Sequence, residues 1–198
     1  EVVAATPDTK IEGYLAAGHA ATITGHGIFE PFVAKHGRPV VVAGFEPLDI
    51  LSGLVLLVEQ VIEAKAEVVN AFSRCVTREG NRRALDVLFR VFETSDGAWR
   101  GIARVPRGDL SLRREYAAHD ATVRFAAELA AAPAVVERSD AAECRCGGIM
   151  IGLLQPTDCP LFGKQCRPEA PVGACMVSTE GVCRIWHEHG IGGGGASA

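Results

Sequence analysis

Apolar residues between positions 39 and 71 follow two different rhythms. Pro39 to Ala43, P-V-V-V-A, is an unbroken, largely β-branched run after a proline. Such a run predicts a strand buried on both faces, as in a parallel sheet. After G-F-E-P the period changes: Leu48, Leu51, Val55, Val58 and Ile62 recur at helical spacing, which predicts a helix from Leu48 to about Ala71 with a break near Ala64 to Ala66. Pro47 suits a first helical turn, and Glu46 and Asp49 complement the helix dipole. A strand, a glycine-containing turn and a long amphipathic helix make half of a βαβ unit.

The flanking segments follow the same logic. The opening E-V-V-A-A-T reads as part of a strand. Tyr14 to Gly25 holds the pair Gly18-His19 and then a short strand-like run. Gly25 to Gly27 reads as a turn, and Phe29 to His36 as a short helix stopped by Gly37. R-E-G-N at 78–81 breaks the pattern before a helix over 82–92 with Leu85, Leu88, Phe89 and Phe92 on one face. A strand follows over 99–106, then an alanine-rich helix over 115–129 and a linker over 133–143. The tail beyond Gly190, I-G-G-G-G-A-S-A, reads as flexible.

Composition narrows the classes. Of the 198 residues, 48% are hydrophobic and 22% charged, as in a soluble globular protein rather than a disordered one. A net charge of −4 without a Lys/Arg run argues against a nucleic-acid binder. The longest apolar run, Leu54 to Val58, is too short to span a bilayer, and no signal peptide is visible.

Candidate chemistry gathers at the other end. Cys144, Cys146, Cys159, Cys166, Cys175 and Cys183 are spaced C-x-C-x12-C-x6-C-x8-C-x7-C among many prolines and glycines. So short and apolar-poor a stretch needs a staple. An even count favours disulfides, but the apolar α/β pattern, the lone Cys75 and the lack of a secretory signal point to metal or redox thiols. Zinc sites favour C-x2-C knuckles, and none occurs here. An iron–sulfur cluster accepts thiolates from irregular loops, and proline after a ligand cysteine, as in Cys159-Pro160, recurs in such sites. The order of preference is cluster, zinc, disulfides. Six thiols exceed the four a cubane needs; the surplus could form an exchanging disulfide or be buried small hydrophobes.

The chain resembles the hydrogenase maturation factor family HypD. The resemblance rests on G-H-A-A-T-I-T-G at 18–25, G-F-E-P-L-D-I-L at 44–51, C-R-C-G, D-C-P-L-F-G-K-Q-C-x-P-E-x-P-V-G and M-V-S-T-E-G-V-C. It implies a cytoplasmic scaffold for the Fe(CN)2CO group of [NiFe] hydrogenases, which pairs with the chaperone HypC, holds iron with it, and receives cyanide from HypE. It further implies two α/β domains flanking a cleft, then a domain carrying a [4Fe-4S] cluster. The family pattern C-x12-C-x6-C-x16-C falls on Cys146, Cys159, Cys166 and Cys183. Cys144 and Cys175 are left over, with Cys144 the redox or structural thiol. Glu180 and His19 match family residues at the central site and cleft. Glu46, by its place after a parallel strand, is either a third site residue or a first-turn carboxylate.

The sequence departs from the family in two ways. Ala17 stands where a proline is expected before Gly18-His19. The family's amino-terminal half, with its C-x2-C motif, has no counterpart, so the chain is read as a carboxy-terminal half. The expected organisation is an α/β domain over 1–135 with a parallel-sheet βαβ core, a small irregular iron–sulfur domain over 136–190, and a tail over 191–198. The expected role is a maturation scaffold whose cluster passes electrons to a thiol pair or to the assembling iron. The rival is an iron–sulfur thiol/disulfide oxidoreductase of the ferredoxin–thioredoxin reductase type, with Cys144 attacking; a third reading is a nonfunctional fragment. His26, His36 and His119 are expected at the surface, His187 and His189 solvated, and Cys75 in the core.

Overall fold

The computed structural model describes residues 2–99, 103–131 and 143–190. It divides into two compact units, one built mainly from residues 11–93 and the other mainly from 94 onward. The expectations for the linker over 133–143, except Glu143, and for the tail over 191–198 lie outside the described residues.

In the first unit, β1 (Tyr14–Ala17), β2 (Val40–Ala43) and β3 (Val68–Asn70) form a parallel sheet in the order β1-β2-β3. Tyr14 pairs with Val40 and Ala17 with Ala43; on the other side Val40 pairs with Val68. All four β2 residues are buried, as their unbroken apolar run predicts. Helix α4 (Pro47–Ile62) covers one face, where Gly53 lies so close that a Cβ there would meet Ala43 and Leu15 within 2.9 Å. The opposite face holds Ala21, Val42 and Val76, with Ala16, Phe29 and Phe72 packed against them.

Three boundaries differ from expectation. The run after Gly18-His19 is helix α2 (Gly18–Thr24), and the strand precedes it. Alanine supplies the helix propensity, and the Thr22 and Thr24 hydroxyls donate to the carbonyls of His19 and Ala20 one turn back. Helix α4 stops nine residues early. Ala64 takes a left-handed φ of 53°, Lys65 N–H closes on the Gln60 carbonyl at 2.8 Å, and Val68-Val69 then pair with β2. The opening V-V-A-A is a one-turn helix, α1 (Val2–Ala5), rather than part of a strand.

Two segments lock together along the first unit. Gly25 (φ 77°) and Gly80 (φ 66°) sit back to back, and a Cβ on either would lie within 2.5 Å of the other segment's backbone. His26 and Gly27 N–H donate to the Thr77 and Arg78 carbonyls, and Asn81 N–H donates to Ile23. Arg78 grips Glu30 with two hydrogen bonds of 2.8 and 2.7 Å at the start of α3 (Glu30–His36), which ends at left-handed Gly37. Helix α5 (Arg82–Val91) follows as expected, capped by the Asn81 side chain accepting from Ala84 N–H.

Of the strand expected over 99–106, Trp99 ends β4 (Phe92–Trp99) and residues 103–106 open β5 (Ala103–Leu112), which pairs with β4; residues 100–102 lie outside the described residues. The alanine-rich helix is broken into a 3-10 turn (Arg114–His119), α6 (Ala121–Arg124) and α7 (Ala126–Ala131). Asp120 causes the break: its carboxylate accepts from Thr122 N–H and hydroxyl, capping a new helix rather than continuing the old one. The cysteine-rich stretch is irregular, as its prolines and glycines require. Short helices α8 (Cys146–Met150), α9 (Ala174–Val177) and α10 (Val182–His189) are joined by tight turns.

Candidate metal centre

Five of the six clustered cysteines are buried, and they form an apolar cluster within the second unit. Cys146, Cys159, Cys166, Cys175 and Cys183 pack with Ile149, Leu161 and Met176, and half-buried Cys144 packs against that core. Each is delivered by a different local device. Cys146 opens α8. Cys159 follows a 3-10 turn (Pro156–Asp158) held by Asp158, whose carboxylate accepts from Gln155 N–H at 2.8 Å. Cys166 closes a loop in which its N–H reaches the Leu161 carbonyl at 2.9 Å and Gly163 N–H reaches its own carbonyl at 3.1 Å. Gly163 holds a left-handed φ of 68° to make that turn. Cys175 and Cys183 come from α9 and α10, which approach so closely at Gly181 that a Cβ there would meet the Cys175 carbonyl at 2.2 Å.

The sulfurs lie close together, with Cys146 near both Cys144 and Cys175. Cys175 Sγ lies 3.1 Å from Cys183 Sγ, and Cys175 N–H donates to Cys146 Sγ at 3.4 Å. A hydrogen bond with Cys175 pushes the Cys146 thiol far above its usual range, with burial adding to the rise. Cys175 itself is pulled down by Cys146 but pushed up by Cys183 and by burial, to about 12. Burial also raises Cys144, and the neighbouring Cys146, Cys159 and Cys166 thiols raise it further. Val172 N–H donates to Cys166 Sγ at 3.4 Å. At Gly173 a Cβ would lie 2.8 Å from Cys144 Sγ, so glycine is what lets this backbone pass the thiols.

Among the described residues no three His, Cys, Asp or Glu side chains close around a single metal ion. An iron–sulfur cubane sets its terminal thiolates further apart than one ion does, so it asks for a looser ring of donors. The chemistry of the donor set suits it: soft thiols, apolar walls, and backbone N–H groups already aimed at sulfur. Cys159, Cys166, Cys183 and either Cys144 or Cys146 could hold such a group.

The other expected site residues lie in two places. His19 and Glu46 follow the carboxyl ends of the paired strands β1 and β2, the position at which α/β sheets bind ligands. Both are exposed, and the His19 ring packs on Phe45 at 4.9 Å between centroids. Glu180, also exposed, belongs to the second unit, in the turn between α9 and α10 where its N–H donates to Ser178 Oγ. His187 packs edge-on against Phe162. His26 and His36 are half-buried, and Nδ1 of the first and Nε2 of the second are covered without a hydrogen-bond partner. Cys75 is exposed rather than core, because its neighbour Val76 takes the inward position.

Sequence reasoning missed the first unit's best-built polar feature. Asp49 is buried and accepts two hydrogen bonds from Arg74, at 2.7 and 2.5 Å, while the guanidinium lies 4.4 Å over the Phe72 ring. The bonded guanidinium holds the Asp49 carboxyl below the usual carboxylate range. Gly44 permits the arrangement, since a Cβ there would lie 2.2 Å from Asp49 Oδ2. An acidic residue in a first helical turn pointed only to the dipole; the distant arginine carried no sequence signal.

The HypD family model, described as the hydrogenase formation hypA family, matches residues 1–190. The chain belongs to the HypD family. Hydrogenase expression/formation protein HupD of Azotobacter chroococcum mcd 1 is 41% identical over 95% of this chain and 50% of its own length. Hydrogenase maturation factor HypD1 of Bradyrhizobium diazoefficiens is 45% identical over 91% of this chain and 46% of its own. A putative hydrogenase expression/formation protein of Methanocaldococcus jannaschii is 40% identical over 90% and 48%. The chain thus spans about half the length of the curated relatives it matches. No helix among the described residues is long and apolar enough to cross a membrane.

Proposed function

We propose that residues 1–198 form the part of a HypD-type hydrogenase maturation scaffold that carries a [4Fe-4S] cluster, in the domain over 136–190. The reading extends to a cytoplasmic setting, a HypC-like chaperone and a HypE-like cyanide donor as partners, and assembly of the Fe(CN)2CO group. Iron with its CN and CO ligands is then cargo rather than a resident cofactor. The observation that carries this reading is the gathering of six cysteines in or against one apolar core, in a chain whose family relatives are named for hydrogenase maturation.

The family pattern assigns Cys146, Cys159, Cys166 and Cys183 as ligands. An exchanged assignment is the alternative. Cys144 has Cys146, Cys159 and Cys166 as neighbouring thiols, and Cys146 also accepts from Cys175 N–H. In the exchanged assignment Cys144, Cys159, Cys166 and Cys183 would hold the cluster, and Cys146 with Cys175 would form a thiol pair that exchanges with a substrate disulfide: the pair is oxidised to a disulfide, giving up two electrons and two protons, as the substrate disulfide is reduced to two thiols. When bound, the cluster supplies one-electron redox chemistry. The oxidoreductase reading keeps Cys144 as the attacking thiol, which the family ligand pattern leaves free.

Anaerobic purification should yield about four iron and four sulfide per chain with absorption near ~400 nm; a colourless protein holding one zinc would overturn the reading. Cys159→Ser and Cys166→Ser should abolish the cluster and Cys175→Ser should spare it. Loss in Cys144→Ser with retention in Cys146→Ser supports the exchanged assignment, and the reverse supports the family pattern. Capture of a HypC-like chaperone supports the scaffold; steady disulfide turnover without partners supports the enzyme. His19→Ala, Glu46→Gln and Glu180→Gln should keep the cluster and weaken maturation.

A further inference from the structure

The sheet of the first unit stops at an edge that is built to continue. Among the described residues strand β1 pairs with β2 on one side only. Tyr14 N–H donates to the Pro39 carbonyl, and strand alternation therefore turns the N–H and C=O groups of Leu15 and Ala17 away from β2. Parallel sheets are ordinarily covered on both faces, yet this apolar edge is only partly covered on either, with α4 reaching Leu15 at Gly53. On the α3 face, a cavity of about 460 Å3 runs beside it, lined by residues including Tyr14, Ala16, Ile28, Phe29 and Phe32. Ile28 is 57% exposed there, and the Tyr14 hydroxyl is buried with no hydrogen-bond partner. On the other face Leu15 is 39% exposed, and α4 leaves Leu48, Leu51, Leu54, Val55, Val58 and Ile62 open to solvent. A helix that is apolar nearly all round is one that expects cover on its outer side as well.

We propose that the open edge of β1, with the groove and helix stripe flanking it, is the seat of the half of the HypD family chain that residues 1–198 do not contain, whichever polypeptide carries that half. It docks by adding a strand to β1 and laying apolar cover on both faces. Matches covering 90–95% of this chain account for only about half of each relative. A family chain thus has as many residues again, enough for a strand and its covering helices. A second copy of this chain fits less well. Two four-residue edges would meet across a two-fold axis over a short patch and leave both grooves unfilled. The inference rests on family membership and on the edge, and is independent of the cluster.

The test mixes tagged residues 1–198 with the non-matching half of the Azotobacter chroococcum relative and, separately, of the Bradyrhizobium diazoefficiens HypD1 relative. The expected result is one-to-one capture with slowed hydrogen exchange at the Leu15 and Ala17 amides. Leu15→Pro removes an outward N–H without touching the β2 ladder, and Ile28→Asp places a charge in the groove. Each should weaken capture at least tenfold, whereas Val87→Asp, exposed on α5, should leave it unchanged. Circular dichroism checks that each variant is folded, and Ile28→Asp stands alone if Leu15→Pro is not. Capture of neither half, capture that Ile28→Asp does not weaken, or a dimer of this chain held through β1 would each overturn the proposal.

Discussion

Replacing Met176 with alanine tests whether the cysteine domain is held by packing as well as by whatever its thiols bind. Met176 is fully buried at 0% exposure, in a core otherwise made largely of cysteines. Burying a methionine side chain is worth about 1.5–3 kcal/mol. Truncation also leaves a cavity that the surrounding short helices and turns can close only in part, so the expected cost is about 2–5 kcal/mol. Against a typical total of about 5–15 kcal/mol, that is a large fraction. The matched control is the next residue, Val177, 62% exposed in the same helix; its alanine variant should cost less than about 0.5 kcal/mol. The assay is anaerobic urea unfolding of metal-free chain, followed by near-ultraviolet circular dichroism, and repeated after iron–sulfur reconstitution. Binding to the folded state adds the same stabilisation to both proteins if the ring of thiols is undisturbed. The difference between them then survives reconstitution, and it widens if the truncation loosens the ring. Equal losses for Met176→Ala and Val177→Ala would refute the reasoning, because the two differ chiefly in burial.

Acid should weaken the first unit through two carboxylates. Arg74 and Arg78 hold Asp49 and Glu30 below the ordinary range. The folded chain therefore binds fewer protons than the unfolded one in that window. The stabilisation is full above the unfolded value near ~4 and is lost as pH falls through the lowered values. The double variant Arg74→Gln/Arg78→Gln should show a flatter stability curve below pH ~4; an unchanged slope would refute the assignment. Gly44→Ala should displace Asp49 Oδ2, flattening the Asp49 part of the same curve and lowering neutral-pH stability by more than about 1 kcal/mol. In metal-free chain at pH ~8, iodoacetamide should label exposed Cys75 first and Cys175, raised to about 12, among the last. Peptide mass mapping gives the order, and early labelling of Cys175 would contradict its buried, hydrogen-bonded setting.

What could be read from the sequence depended on whether neighbours or distant partners decide a residue's place. β2 and the start of α4 were legible because an unbroken apolar run and a Pro-led amphipathic period each carry their own instruction. β3 was not, because Val68 and Val69 continue a helical pattern and become a strand only when the edge of β2 is there to pair with them. Asp120 likewise ends a plausible helix through its own carboxylate, a local conflict that alanine content masks.

The site divides in the same way. Spacing and resemblance identified the cysteine set and its burial, but Cys144 and Cys146 are only two residues apart and equally available to any motif. The fold around the start of α8 places them differently. Cys146 sits at the first helical position and meets Cys175, twenty-nine residues further on, through a backbone N–H. Cys144 remains outside the helix, packed beside Gly173, with Cys146, Cys159 and Cys166 as its thiol neighbours. Cys183, a ligand in both assignments, itself lies 3.1 Å from Cys175 Sγ, so the thiols adjoin one another and neither spacing nor these contacts separate Cys144 from Cys146. Metal content of the two serine variants is therefore the measurement on which the assignment turns.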